Sequence, residues 1–136
     1  MKTYIGTKII MARPEVSGGQ SGYKVVYADG YRSWSPSKAF EEAYREISGL
    51  TFGLAIEALK KGHKVSRAGW NGKGMFLFLV PGSVFQVNRP PLLGIYPEGT
   101  EINYRPHIDI KNVDGSISTW VPSIGDVMAE DWAIIE

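Results

Sequence analysis

The sequence predicts an α+β fold, a mainly antiparallel sheet with two amphipathic helices packed on it. Three observations predict it. Two segments place apolar residues at the i, i+3, i+4, i+7 spacing of one helical face: Phe40, Ala43, Tyr44 and Ile47, then Phe52, Ala55, Ile56 and Leu59. Short runs rich in β-branched and aromatic residues, of strand length, recur along the rest of the chain. Glycine and proline turns separate them, and Asp114-Gly115 between two such runs marks a hairpin.

In chain order, Tyr4 to Arg13 and Tyr23 to Ala28 are predicted strands, rich in tyrosine, valine and isoleucine. The segment 17–22 is a loose hairpin loop between them, and Asp29-Gly30 is a turn. Ser35 is expected to cap the first helix, with Pro36 at its first position and Trp34 stapling it to the sheet. A strand-strand-helix unit of residues 1–49 cannot readily bury the Phe40 stripe by itself. That stripe is expected to pack on the rest of the chain or on another subunit.

Ser48-Gly49 breaks the chain. Thr51 caps the second helix, and Gly62 ends it after Lys60 and Lys61, which suit the negative end of the helix dipole. Val65 to Arg67, Met75 to Val80 and Val84 to Val87 are predicted strands, with Pro81-Gly82 as a turn. Asn88 to Arg105 reads as a long, proline-rich irregular loop, of a length that is usually functional when ordered. His107 to Lys111 and Ile117 to Val121 form the hairpin, Pro122 to Met128 a short helical turn, and Trp132 to Ile135 a last strand.

The chain has 136 residues, enough for one domain or one domain with a small extra module. Its 15 basic and 14 acidic side chains leave a net charge of +1. That balance argues against a dense basic face and hence against a nucleic-acid polymer as partner. There is no cysteine, which excludes disulfides and thiolate metal sites. No stretch approaches the apolar length of a membrane helix, and the first residues do not read as a signal peptide, so a cytoplasmic location is expected.

The most informative stretch is Arg67-Ala68-Gly69-Trp70-Asn71-Gly72-Lys73-Gly74-Met75-Phe76-Leu77-Phe78-Leu79. Its glycines permit a sharp turn or close approach of backbone to a ligand. Trp70, Asn71, Arg67 and Lys73 offer an aromatic face, an amide and two cations, the equipment of a site for a nucleobase and a phosphate. Two roles remain open for Trp70: a stacking platform, or a turn residue folded back onto the sheet. Arg89 and Arg105 also lie in irregular segments beside proline, and Asn103 adds an amide. Trp120 sits where it can serve either ligand or core, and Trp132 reads as core.

Catalytic equipment is sparse. His63 reads as a solvent-facing helix cap. His107 is either structural or a donor to phosphate or ribose, and Asp109 shares its strand face. No motif places a nucleophile beside that pair, and no phosphate-binding glycine motif opens a helix, since Gly69, Gly72 and Gly74 precede a strand. Neither a metal nor a cofactor is called for.

The same stretch, with Asn88-Arg89-Pro90-Pro91-Leu92, Tyr104-Arg105-Pro106-His107-Ile108-Asp109 and the ending Ala129-Glu130-Asp131-Trp132, resembles a small phage and prophage family, Thoeris anti-defence type two. The resemblance covers residues about 50 to 136 and leaves the first 49 outside its pattern. It implies a protein that is not an enzyme. It implies binding and sequestration of the cyclic ADP-ribose-type signal made by bacterial TIR-domain immune proteins, glycocyclic ADP-ribose or a related cyclic nucleotide. It further implies a homo-oligomer, a tetramer, with pockets between subunits, acting in the cytoplasm of the infected bacterial host. The candidate ligand-binding residues are Arg67, Trp70, Asn71, Lys73, Phe76, Arg89, Asn103, Tyr104, Arg105, His107 and Trp120. An enzyme hydrolysing such a nucleotide through His107 and Asp109, or a phage structural or protein-interaction module, remain as alternatives.

Overall fold

The computed structural model describes residues 1–136. The chain divides into two compact units, 1–47 and 48–136. The α+β class is as the sequence predicts, and all strand pairings between named strands are antiparallel. Each of the two amphipathic helices packs on a sheet of its own.

The first unit is a three-stranded sheet, β1 (Met11–Pro14), β2 (Gly22–Val26) and β3 (Arg32–Pro36), in the order β1-β2-β3, with helix α1 (Ser37–Ala43) on one face. Several expectations are corrected here. The first strand is Met11–Pro14, not Tyr4 to Arg13, because only these residues find a partner, on β2. A third strand takes in Trp34, Ser35 and Pro36. Ser35 pairs with Tyr23 and is drawn into the ladder, so the helix starts at Ser37 with no side-chain cap. Trp34 accordingly serves the sheet, donating its indole N–H to the Glu15 carbonyl at 2.8 Å. The helix also ends early, at Ala43, so Ile47 is not on its stripe. The extra strand widens the sheet enough to receive Phe40 within the unit, where its ring stacks on Tyr23 at 4.0 Å and on Tyr44 at 5.0 Å.

The second unit opens with α2 (Phe52–Lys60), capped by Thr51 and closed by Gly62 at φ 91°, as its sequence signals require. A five-stranded sheet follows, in the order β10-β4-β5-β8-β9. Its members are β4 (Lys64–Arg67), β5 (Phe76–Val80), β8 (His107–Lys111), β9 (Ile117–Thr119) and β10 (Trp132–Ile135). A separate two-stranded ribbon joins β6 (Ser83–Gln86) to β7 (Glu101–Tyr104). The strand β7 corrects the expected uninterrupted loop from Asn88 to Arg105: its residues pair with β6 in register, Ser83 with Tyr104 and Phe85 with Ile102. A short helix α3 (Ile124–Met128) precedes the last strand.

The core lies between α2 and one face of the five-stranded sheet. Ala55, Ala58 and Leu59 of the helix meet Val65, Leu77, Ile110 and the fully buried Trp132. Phe52 and Trp120 add tilted and edge-on ring contacts to Trp132 at 5.5 and 6.0 Å. Trp132 also ties α3 to the sheet, its indole N–H donating to the Asp126 carbonyl at 2.9 Å.

Candidate functional site

Strand alternation divides the five-stranded sheet into two chemically different faces. Val65, Leu77, Leu79, Ile108, Ile110, Trp132 and Ile134 belong to the core. Their neighbours therefore project to the other side: Lys64 and Ser66 on β4, Phe76, Phe78 and Val80 on β5, His107, Asp109 and Lys111 on β8, Ile117 and Thr119 on β9. The register sets these side by side, Phe76 opposite Lys111, Phe78 opposite Asp109, Val80 opposite His107 and Asp109 opposite Thr119. Both α2 and α3 lie on the core side, so neither covers this face.

At one end of this face is an open cleft of about 330 Å³, lined by Asn103, Tyr104, Arg105, Pro106, His107 and Thr119. Its position follows from the ribbon. The chain leaves β5, turns at Pro81-Gly82 into β6, returns along β7 and enters β8 through Arg105 and Pro106. Gly82 permits the close return, since a Cβ there would meet the Tyr104 carbonyl at 2.8 Å and Pro106 Cδ at 3.0 Å. Tyr104 stands half-exposed between Phe85 at 6.4 Å and the His107 ring, which it meets edge-on at 5.7 Å. His107 Nε2 lies 3.3 Å from Asp109 Oδ1, and its Nδ1 is buried with no hydrogen-bond partner. The cleft thus combines an aromatic ring, a guanidinium, a carboxamide, a hydroxyl and an imidazole.

At the opposite end of the face, the Phe76 ring carries two ammonium groups, Lys64 Nζ at 4.9 Å and Lys111 Nζ at 5.5 Å from its centroid. Asn71 and Lys73 are exposed on the glycine turn beside this end. The length of β5 puts them ~13 Å or more from the cleft. Arg89 is exposed on the loop between β6 and β7, outside the cleft lining.

The remaining candidates lie on the core side. Trp70 is folded back, its ring edge-on to Trp132 at 5.4 Å, the second of the two roles left open for it. Trp120 packs on Phe52 and Trp132. Arg67 is held by two carboxylates, Nη1 to Asp126 and Nε to Asp131, both at 2.9 Å. All three lie away from the cleft, and the physical reason is shared. Arg67 follows Val65 at a spacing of two, so its side chain emerges on the core side, where Asp126 and Asp131 neutralise it and only 22% of it stays exposed. The tryptophans find a ready apolar partner in Trp132. Gly72 makes the Trp70 turn possible, because a Cβ there would collide with Met75 and Val113.

Electrostatics reinforce this frame. Burial pushes the Asp126 carboxyl up, but hydrogen bonds from Ser123, Arg67 and Trp70 outweigh it and hold the group below its ordinary value. Arg67 holds Asp131 down against a smaller opposing effect of burial, helped by the Gly69 N–H at 2.8 Å. The Arg67 guanidinium is raised in turn by Asp131 and Asp126.

Sequence reasoning missed several positions. Thr119 was legible by counting register across the Asp114-Gly115 turn from Asp109. Asp126 was legible as the partner of Ser123 in a capping box, which the structure contains in full. Asp131 and Gly82 had no local signal for their roles, since both act through residues distant in sequence.

Comparison with known proteins agrees with this division of the chain. The family profile described as the Thoeris anti-defense 2-like domain matches residues 50–135. A protein of Bacillus phage SP01 described as "Thoeris anti-defense 2" is 44% identical over 86 residues, which span 63% of this chain and 94% of that protein. The first unit lies outside the family profile, and all eleven candidate residues lie inside it. By the extent of that profile match, the chain belongs to the Thoeris anti-defense 2-like family.

Proposed function

We propose that this chain acts against Thoeris immunity by binding a cyclic ADP-ribose-type nucleotide, glycocyclic ADP-ribose or a close relative, and sequestering it uncleaved. Family membership supports the anti-Thoeris role. The single observation that carries the ligand class is the cleft on the sheet face away from α2, with Tyr104, Arg105, Asn103 and His107 at one mouth. A base requires a ring or an amide edge, and a pyrophosphate requires cations; both are supplied there. Sequestration needs tight binding, about −12 kcal/mol at nanomolar affinity.

The cleft is open on its outer side, so one chain supplies only one wall. A second copy of the chain closes it in this proposal, within a homotetramer in the cytoplasm of the infected host. Asn71, Lys73 and Arg89, which lie outside the cleft, are the residues that a neighbouring copy brings to the ligand. Phe76 contributes the far end of the same face. Arg67, Trp70 and Trp120 act on the ligand only through the frame.

The test is to load the protein from a reaction of an activated TIR-domain enzyme, filter, denature and identify the released molecule by mass spectrometry. Intact cyclic nucleotide supports sequestration. Linear ADP-ribose released at catalytic rates would support hydrolysis instead, the reading favoured by the 3.3 Å His107–Asp109 pair. Light scattering at micromolar concentration should give a particle several times the 15.0 kDa chain mass.

A further inference from the structure

We propose that the open face of the first unit's sheet is a second binding site, for single-stranded nucleic acid, independent of the cleft. The face is set by register. Val25 and Tyr23 point toward α1, so Arg13, Lys24 and Trp34 share the opposite side and lie in one row across β1, β2 and β3. The next row is Met11, Val26 and Arg32. Lys24 and Arg32 have no acidic partner, and Arg13 has only Glu15, at 3.8 Å with both side chains well exposed.

The open face carries three cations, with Glu15 beside Arg13. On the other side, α1 carries Lys38 as well as Glu41 and Glu42, and Glu41 accepts from the Tyr23 hydroxyl at 2.8 Å. The near-neutral charge of the whole chain does not show where these three cations gather. Cations remain on the open face beside a partly exposed indole. Trp34 lies directly against Gly22, where any Cβ would collide with its ring, so the glycine seats the indole flat on the sheet. One part of the ring is thereby pressed to the backbone, and the indole as a whole stays partly exposed.

Arg13 and Trp34 are two strands apart, ~10 Å, and Arg32 follows Trp34's side of β3 at ~7 Å. A flexible single strand can place phosphates on the cations and lay a base on the indole at such spacings. The pairing of cations with a flat aromatic surface favours nucleic acid over an acidic peptide, which has charge but no bases to stack. With only three cations, binding should be weak and strongly dependent on salt.

The test uses the full chain and a short fluorescein-labelled oligothymidylate, read by anisotropy. Micromolar binding at low salt is expected, with a log–log salt slope near −2, from about −0.7 for each of three phosphate contacts. Arg13→Glu/Lys24→Glu/Arg32→Glu should weaken it roughly tenfold or more, without lowering the melting temperature or the affinity for a cyclic nucleotide. If that reversal unfolds the first unit, the glutamine triple variant replaces it, and its salt slope should approach zero. Trp34→Phe should retain phosphate contacts but bind several-fold more weakly. No anisotropy change up to about 100 µM protein, the weak end of non-specific binding, would overturn the proposal. Equal competition by polyglutamate would overturn it in favour of an acidic protein partner, and a charge-reversed chain that binds as the parent does would place the site elsewhere.

Discussion

The two faces of the five-stranded sheet use the same kinds of residue for opposite ends. On the core face, Arg67, Trp70 and Trp120 are an arginine and two aromatic rings, each engaged by neighbours inside the fold. On the other face, Lys111 lies over the partly exposed Phe76 ring, and His107 leads into Tyr104 and Arg105 at the cleft. Composition cannot tell these groups apart. What separates them is the strand alternation of side chains, and then whether a carboxylate or a ring stands opposite. A cation already paired with two carboxylates has little to offer a phosphate, because binding would have to break those pairs first.

The comparison breaks first at Trp70. Trp70→Ala should cost about 3 kcal/mol of stability through the lost contact with Trp132. A thermal melt should show the midpoint fall by roughly 10 °C or more. A mutant that keeps its melting temperature but loses cyclic nucleotide would move Trp70 to the ligand side.

Next comes Arg67→Ala. It leaves Asp126 and Asp131 facing each other without their shared cation, at an expected cost of about 2–3 kcal/mol, discounted for partial exposure. Urea titration gives this number. Ligand affinity of the folded protein should change little, and a large selective loss of affinity would count against a frame role.

Tyr104→Ala tests the open face. Stability should change by less than about 0.5 kcal/mol, as for an exposed substitution. Affinity for the cyclic nucleotide should fall by about 1–3 kcal/mol if the ring carries a base. Calorimetric titration decides, and unchanged affinity would remove Tyr104 from the site.

The smallest effect is acid dependence. Asp126 and Asp131 are both held below their ordinary values in the fold. Their ionised forms therefore stabilise the protein above the unfolded value, about 3.9, and that contribution fades as pH falls through the lower folded values. Denaturation midpoints should be flat near neutrality and drop below about pH 4. Asp131→Asn should flatten that drop, and an unaltered acid limb would mean that other carboxylates set it.

The sequence by itself determined the α+β class, because helical stripes and strand-length runs are local patterns. It determined the second helix from Thr51 to Gly62, whose cap and stop are local chemistry, and the strands His107–Lys111 and Trp132–Ile135, with Trp132 in the core. The motifs that carried the family resemblance lie within the residues the profile matches. Tertiary structure alone decided the third strand of the first unit and the strand Glu101–Tyr104, since each becomes a strand by pairing with another segment. It alone decided that Arg67 is neutralised by Asp126 and Asp131, fifty-nine and sixty-four residues away, and that Tyr104 comes to rest beside His107 above Gly82. A side chain's chemistry is written in its own residue, but its availability depends on which partners the fold brings to it.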